Sequence, residues 1–366
     1  MSSKKQDKGA ADGFADMTEK LLKAGKLLST IKDDDVDVGA TPKKLVMRRD
    51  KVELFRYEPL TEQRVRTPVL LAYGLIGRYT MADLQEDRSL VRSLLRQGLD
   101  LWLVDWGQPN RTERWLTIDD YVDDYIHAAV ERVCRETGHD KITLLGICEG
   151  GVFTTCYAAL HPDKVKGLVL TITPIDFHAD RDDPDTHHGF LNLWTRSLER
   201  ADIDRLVDTY GGLPGEFMSS VFSLMTPMRS LTKYNIDLID VIDDEAKLMN
   251  FLRMEKWLAD RPAHPGEAAK QWLKDLYQDN KLVKGEFVLS GRRVDLSKIS
   301  APVLNVFALN DHIIPPTCSR ALGEHVGTRD YSEIELPGGH VGLFVSSKSQ
   351  GSLSKGISEW LLARDQ

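Results

Sequence analysis

Cysteine is scarce in this chain and badly spaced for metal or redox work. The four that occur, Cys134, Cys148, Cys156 and Cys318, form no C-x-x-C pair, so neither a zinc site nor a dithiol redox motif is expected. Long apolar runs are lacking as well: nothing approaches the roughly 18 to 20 consecutive apolar residues that a membrane-spanning helix needs. The first residues hold no apolar signal core, which makes the cytoplasm the expected location, and free thiols suit that reducing compartment. There is no excess of positive charge. With 48 Lys and Arg against 56 Asp and Glu the net charge is −8, so no electrostatic footprint for nucleic acid or an anionic membrane surface is present. An anionic substrate must therefore be met by local basic groups. Internal repeats are absent too. The histidine pair His187 and His188 sits in a polar loop without further clustered ligands, so no metal site is expected there.

What remains is the profile of a globular protein: 366 residues, 42% hydrophobic and 28% charged, enough for a sizeable core. Strand-like and helix-like stretches alternate along most of it. Leu45 to Tyr57 suits strands, Pro68 to Tyr73 reads as a buried strand, and Leu99 to Asp105 as another. Asp87 to Gln97 reads as a helix stopped by Gly98. Thr117 with Asp120 three residues on resembles a capping box opening a helix that continues to about Arg135. Val165 to Thr173, Pro302 to Leu309 and Tyr331 to Leu336 are further strands, with helices near Cys318–His325 and up to Leu362. Such alternation predicts a mostly parallel sheet with helices on both faces and active residues in loops at the carboxyl ends of strands.

The rhythm breaks between Pro174 and about Ile299, where apolar runs turn helical in period and carry Trp194, Trp257 and Trp272. The expected organisation is a charged arm over residues 1–40, a first core part over 41–174, an inserted, mainly helical cap over 175–299 and a second core part over 300–366. In the arm, Leu21, Leu22, Leu27 and Leu28 can form a helical stripe, either a frayed leader that docks weakly or a contact for another subunit. The apolar stretch Phe217–Met228 reads as packing between cap and core, with contact to a product as the alternative.

The chemistry is expected at Cys148. Gly146-Ile147-Cys148-Glu149-Gly150-Gly151 has the form of a nucleophile elbow, a sharp strand-to-helix turn with the nucleophile at its tip, here with cysteine in place of serine. Lys141 to Leu145 supplies the strand, Gly151 to Leu160 the helix, and His161-Pro162 its end. This predicts the α/β-hydrolase fold, whose triad runs nucleophile, acid, histidine along the chain. Cys148, Asp311 just after the strand ending at Leu309, and His340 after Pro337-Gly338-Gly339 fill that order. A free thiol, with a pKa of roughly 8.5, gains from an adjacent base, and His340 is placed to be it. His312 is the rival imidazole. The backbone N–H groups of Glu149 and of Ile76, in the Leu75-Ile76-Gly77 loop, are the expected oxyanion donors. A free cysteine is ordinarily a small buried hydrophobe, and that remains the expectation for Cys134, Cys156 and Cys318.

Seven segments together resemble the catalytic subunit of class III poly(3-hydroxyalkanoate) synthases: Asp83–Ser89, Asp105-Trp106-Gly107 with Leu116–Tyr121, Gly146–Gly151, Thr173–Phe177, Asn250–Trp257, Asn310-Asp311-His312 and Pro337–Gly342. The resemblance runs from about residue 40 to the end. It implies an acyltransferase that polymerises (R)-3-hydroxyacyl-CoA, chiefly 3-hydroxybutyryl-CoA, into polyester with release of CoA. On it, His340 deprotonates Cys148, the thiolate takes the acyl group, and Asp311 helps activate the 3-hydroxyl of the next unit. It further implies no cofactor beyond the CoA of substrate and product, a second non-catalytic subunit, a homodimer, and a place at the surface of cytoplasmic polyester granules. Class IV synthases, with a different partner, share the short chain; the box and Phe251–Trp257 favour class III. Arg78 and Arg88 are the basic candidates for holding CoA. Two other readings stay open, a cysteine-dependent hydrolase acting on thioesters or lactones and a non-catalytic granule scaffold.

Overall fold

The apolar, β-branched runs pair into one sheet. The computed structural model describes residues 18–181 apart from 21 and 24, then 188–225 and 241–365. Its main sheet has eight strands: β1 Lys43–Arg49, β2 Val52–Tyr57, β3 Val69–Ala72, β4 Leu101–Asp105, β5 Ile142–Ile147, β6 Val165–Thr171, β7 Val303–Ala308 and β8 Tyr331–Leu336. Their spatial order is β1-β2-β4-β3-β5-β6-β7-β8. The β1–β2 and β2–β4 pairings are antiparallel, and all the others are parallel.

A parallel sheet is covered on both faces, so its strands are apolar throughout. Every residue of β3, β5 and β7 is buried. Successive side chains feed two cores. Leu70, Ala72, Trp102, Val104 and Leu144 pack on one face with Tyr121 and Phe153. Val69, Leu71, Leu101, Leu103, Leu145 and Ile147 pack on the other with Leu94, Leu353 and Trp360. Each large apolar side chain among them contributes about 1.5–3 kcal/mol on burial, so a one-residue slip, which exchanges the faces, is strongly opposed.

Helix α1, Leu90–Arg96, starts later than the sequence pattern suggests. The Ser89 side chain accepts from the Arg92 N–H at 2.9 Å and caps it, while Arg88–Ser89 pair with Asp83–Gln85 in a short ribbon. The capping box does form: Asp120 Oδ2 accepts from the Thr117 N–H and hydroxyl, both at 2.7 Å. It opens a π-helical segment, Asp120–Ile126, and only then does α2, His127–Thr137, begin. Apolar periodicity does not reveal that wider winding. Helix α3, Glu149–Leu160, packs against β5 and β6.

Between β6 and β7 the described residues are carried mainly by helices: α4 Phe190–Ser197, α5 Arg200–Tyr210, α6 Gly215–Ser223 and α7 Glu245–Ala259, then a short helix, Gly266–Lys270, that continues into a π-helical Gln271–Gln278. Trp257 and Trp272 are buried and Trp194 is half-buried. Leu21, His187, most of Asp180–Asp185 and the end of Phe217–Met228 lie outside the described residues. Leu27, Leu28 and Ile31 pack against Ile242 and Leu248, Lys23 pairs with Asp243, and Arg253 of α7 holds the Asp37 carboxylate. The stretch before β1 is thus tied to α7. Helix α8, Ser347–Leu362, is the last of the described helices.

Glycine serves two different purposes here. A Cβ on Gly150 would lie 2.3 Å from the Ala72 carbonyl oxygen, a backbone atom that cannot swing away, whereas Gly138 ends α2 at φ +73 with nothing within 4 Å. Gly150→Ala should therefore cost about 3 kcal/mol or more, and Gly138→Ala only about 1 kcal/mol of left-handed strain. Urea denaturation of the two variants measures both; equal losses would contradict the close-packing account of α3 against β3.

Candidate active site

β5 ends at Ile147 and α3 begins at Glu149, so Cys148 alone makes the turn. It does so at φ 54 and ψ −122, a conformation that residues with a Cβ seldom adopt and that costs energy. Its N–H donates to the Thr171 carbonyl of β6 at 3.0 Å, and its carbonyl accepts from the Gly151 N–H at 2.9 Å, which starts the helix. Gly146 permits the bend, because a Cβ there would sit 2.4 Å from the Gly151 Cα. A second strained residue supports it from the side. Ile172, at φ 47, follows β6 and donates to the Val306 carbonyl at 2.7 Å, bringing Thr173 against Gly151.

The loops after β7 and β8 run side by side. The Leu309 N–H donates to the Leu336 carbonyl and the Asn310 N–H to that of Gly338, both at 2.9 Å, with Gly338 at φ +116 turning the second loop. This zipper sets Asp311 beside His340. The Asp311 Oδ1 accepts from the N–H groups of Ile313 and Ile314, each at 2.9 Å, and its Oδ2 lies 2.7 Å from His340 Nδ1. With Nδ1 so engaged, Nε2 is the nitrogen left for the Cys148 sulfur, which lies near enough for its charge to act on the ring. Burial works to lower the His340 pKa, but the negative charges of Asp311 and Cys148, and the hydrogen bonds they make, outweigh it and hold the imidazole up at about 10. The Asp311 side chain is 1% exposed and that of His340 11%, so this pairing is shielded from water. The structure thus gathers all three residues read as a triad from the sequence.

Glu149 does more than offer its backbone. Its carboxylate is fully buried, accepting through Oε2 from the Leu75 N–H at 2.6 Å and the Ile76 N–H at 3.2 Å. Its Oε1 lies 2.7 Å from His264 Nε2. The Ile76 amide, expected to serve a substrate oxyanion, is therefore turned to a carboxylate of the protein itself. The reason is chemical: a buried carboxylate draws the nearest N–H groups, since leaving it unpaired costs several kcal/mol.

Several neighbours carry no motif. Tyr73 and Tyr277 are buried close enough to Cys148 to feel its charge; desolvation first, and that charge second, raise both phenols well above their usual range. The Tyr277 hydroxyl is buried without a hydrogen-bond partner among the described residues. Tyr277 lies in the π-helical segment, a kind of distortion that recurs at functional sites. The rival His312 is exposed, with its Cε1 beside Gly339. Arg78 is committed to the Gly107 carbonyl, Asp105 and Asp260, and Arg88 to the Val345 carbonyl. Cys134, Cys156 and Cys318 are buried, and burial pushes the Cys318 thiol up to about 12. His161 ends α3 and bonds Asp123 at 2.6 Å, and His188 approaches the buried Asp180. Among the described residues no group of three or more His, Cys, Asp or Glu side chains could hold a metal ion, and no helix is long and apolar enough to cross a membrane.

Comparison with known proteins agrees with this fold. Solved structures of similar fold include a monoacylglycerol lipase of Paleococcus ferrophilus, with TM-score 0.53 and 19% identity over 85% of this chain and 99% of that one. A monoglyceride lipase of Saccharomyces cerevisiae gives TM-score 0.57 and 13% identity over 90% and 97%. The family described as alpha/beta hydrolase fold matches residues 67–347, and that described as poly-beta-hydroxybutyrate polymerase (PhaC) N-terminus matches residues 5–94. The poly(3-hydroxyalkanoate) polymerase subunit PhaC of Synechocystis sp. is 44% identical over 350 residues, 95% of this chain and 92% of the relative. Those of Allochromatium vinosum and Thiocystis violacea are 43% and 40% identical, covering 90% and 97% of this chain and the same shares of their own. With PhaC polymerases matching it at 40% to 44% identity along nearly its whole length, the chain belongs to the PhaC family of poly(3-hydroxyalkanoate) polymerases, acyl-transferring enzymes on the α/β-hydrolase fold.

Proposed function

We propose that this chain is the catalytic subunit of a class III synthase that polymerises (R)-3-hydroxyacyl-CoA, chiefly 3-hydroxybutyryl-CoA, through a covalent thioester on Cys148. The observation that carries the reading is the Asp311–His340 pair at 2.7 Å, set beside a sulfur held at a strained turn whose charge acts on the same imidazole. On this reading the Cys148 sulfur, its proton held by His340, attacks the thioester carbonyl carbon. The bond to the CoA sulfur breaks, and CoA leaves with that proton. His340 next takes the proton of an incoming 3-hydroxyl, whose oxygen attacks the enzyme thioester, forms the new ester and frees Cys148. Asp311, with both oxygens already taken, acts on the hydroxyl through His340, and a hydroxyl, far less acidic than a thiol, depends on that support more than Cys148 does. The Glu149 N–H at the start of α3 faces the developing oxyanion, aided by the positive end of the helix.

Thioester exchange is nearly balanced in energy, so the acyl group stays activated on sulfur, and water must be kept from it. The helical segment between β6 and β7 serves as the cap that does so. No metal or further cofactor takes part, and the working enzyme is a homodimer joined by a second, non-catalytic subunit at the surface of cytoplasmic polyester granules. Cys148→Ala and His340→Gln should abolish CoA release, whereas Asp311→Asn should still be acylated while chain growth slows by about 10³-fold or more. A thiol assay alongside recovery of insoluble polyester reads both steps; normal polymer from Asp311→Asn would refute its role, and soluble 3-hydroxy acid equal to the CoA released would make the enzyme a hydrolase.

The His340 pKa also links the site to stability. Its value of about 10 in the folded chain exceeds the roughly 6.5 of an unfolded one. The associated stability is fully present below about pH 6.5 and is lost as pH rises through about 10. Thermal unfolding midpoints across this window should fall more steeply for the wild-type chain than for Asp311→Asn, in which the supporting charge is gone. Parallel curves would contradict the pairing.

A further inference from the structure

His264 is a buried histidine that the triad does not use. It is 1% exposed and stands in a two-residue ribbon with Leu213, where a Cβ on the facing Gly212 would sit 2.4 Å from the His264 carbonyl oxygen. Its Nε2 lies 2.7 Å from Glu149 Oε1, and the other carboxylate oxygen gathers the Leu75 and Ile76 N–H groups. Arg261, on the same stretch, donates through Nη1 to the Ile76 carbonyl at 2.9 Å and is itself packed over the Phe222 ring at 4.5 Å. Ile76 is thus held at its N–H through Glu149 and at its C=O directly, both from Arg261–His264. Glu149 in turn cannot shift without breaking three hydrogen bonds in a buried setting.

We infer that His264, acting through the Glu149 carboxylate and assisted by Arg261, is a positioning residue for acyl transfer. The inference rests on the reading of Cys148 as nucleophile. Its basis is that the clamped residue follows the nucleophile directly, so the clamp fixes the backbone N–H that the fold presents to a developing oxyanion. Misplacing a catalytic group by about 1 Å costs on the order of 10² in rate. A clamp of this kind matters only for reactions that build an oxyanion. Alkylation of Cys148 by iodoacetamide is a displacement at carbon and builds none, whereas acylation by a thioester does.

The test compares two rates on the full chain: the acylation burst of CoA release from 3-hydroxybutyryl-CoA and the alkylation of Cys148 by iodoacetamide. His264→Ala should slow acylation by about 10- to 100-fold and leave alkylation within about twofold. His264→Gln, which can still donate to Glu149, should recover most of the lost rate. If His264→Ala fails to fold because Glu149 is left unpaired, the double variant His264→Ala, Glu149→Gln removes that buried charge and should show the same split. Unchanged acylation, or both rates falling in proportion, would overturn the inference. Absence of any acyl adduct on Cys148 in the wild-type chain would instead defeat the nucleophile reading.

Discussion

Everything at the site depends on one tight turn. Cys148 occupies a backbone conformation that its own Cβ resists, and it remains there because β5, β6 and α3 leave it no other place. The Cys148 N–H is tied to β6, its carbonyl starts α3, and Gly146 and Gly150 remove the side chains that would block the crossing. The strain is offset by the two cores that the sheet separates. A sulfur at such a tip is presented outward at the carboxyl end of the central strands, where the loops after β7 and β8 arrive with Asp311 and His340.

These loops are not independent supports. Because β7 and β8 pair in parallel from Val303 with Tyr331 to Ala308 with Leu336, the hydrogen bonding continues past the strands into Leu309 and Asn310. The separation of Asp311 from His340 is thus inherited from sheet register. The Asp311 carboxylate then fixes the ring and, together with the charge of Cys148, outweighs the desolvation that burial imposes on a charged imidazole. Architecture sets the distance, and electrostatics sets the proton affinity.

Much of this was legible in the sequence, for physical reasons. Strands such as Leu101–Asp105 and Val303–Ala308 are short apolar runs because both faces of a parallel sheet are buried, and G-x-C-x-G records the steric demands of the elbow. The order Cys148, Asp311, His340 followed from where strands end. Other features had no local signature. The π-helical windings at Asp120–Ile126 and Gln271–Gln278 keep an ordinary helical pattern of apolar residues. His264 is a lone histidine near two prolines, and its partner lies 115 positions away. The one available clue was Glu149 itself: an acid forced by the elbow into a buried position must find partners, and the Ile76 amide proved to be one of them.

The central claim, that Cys148 carries the acyl group, is tested most directly by acid-quenching the enzyme within its first turnovers on 3-hydroxybutyryl-CoA and weighing its proteolytic peptides. The account predicts a hydroxybutyryl mass, or short oligomers of it, on the peptide containing Cys148 and on none containing Cys134, Cys156 or Cys318. An unmodified Cys148 peptide while CoA is being released would contradict it.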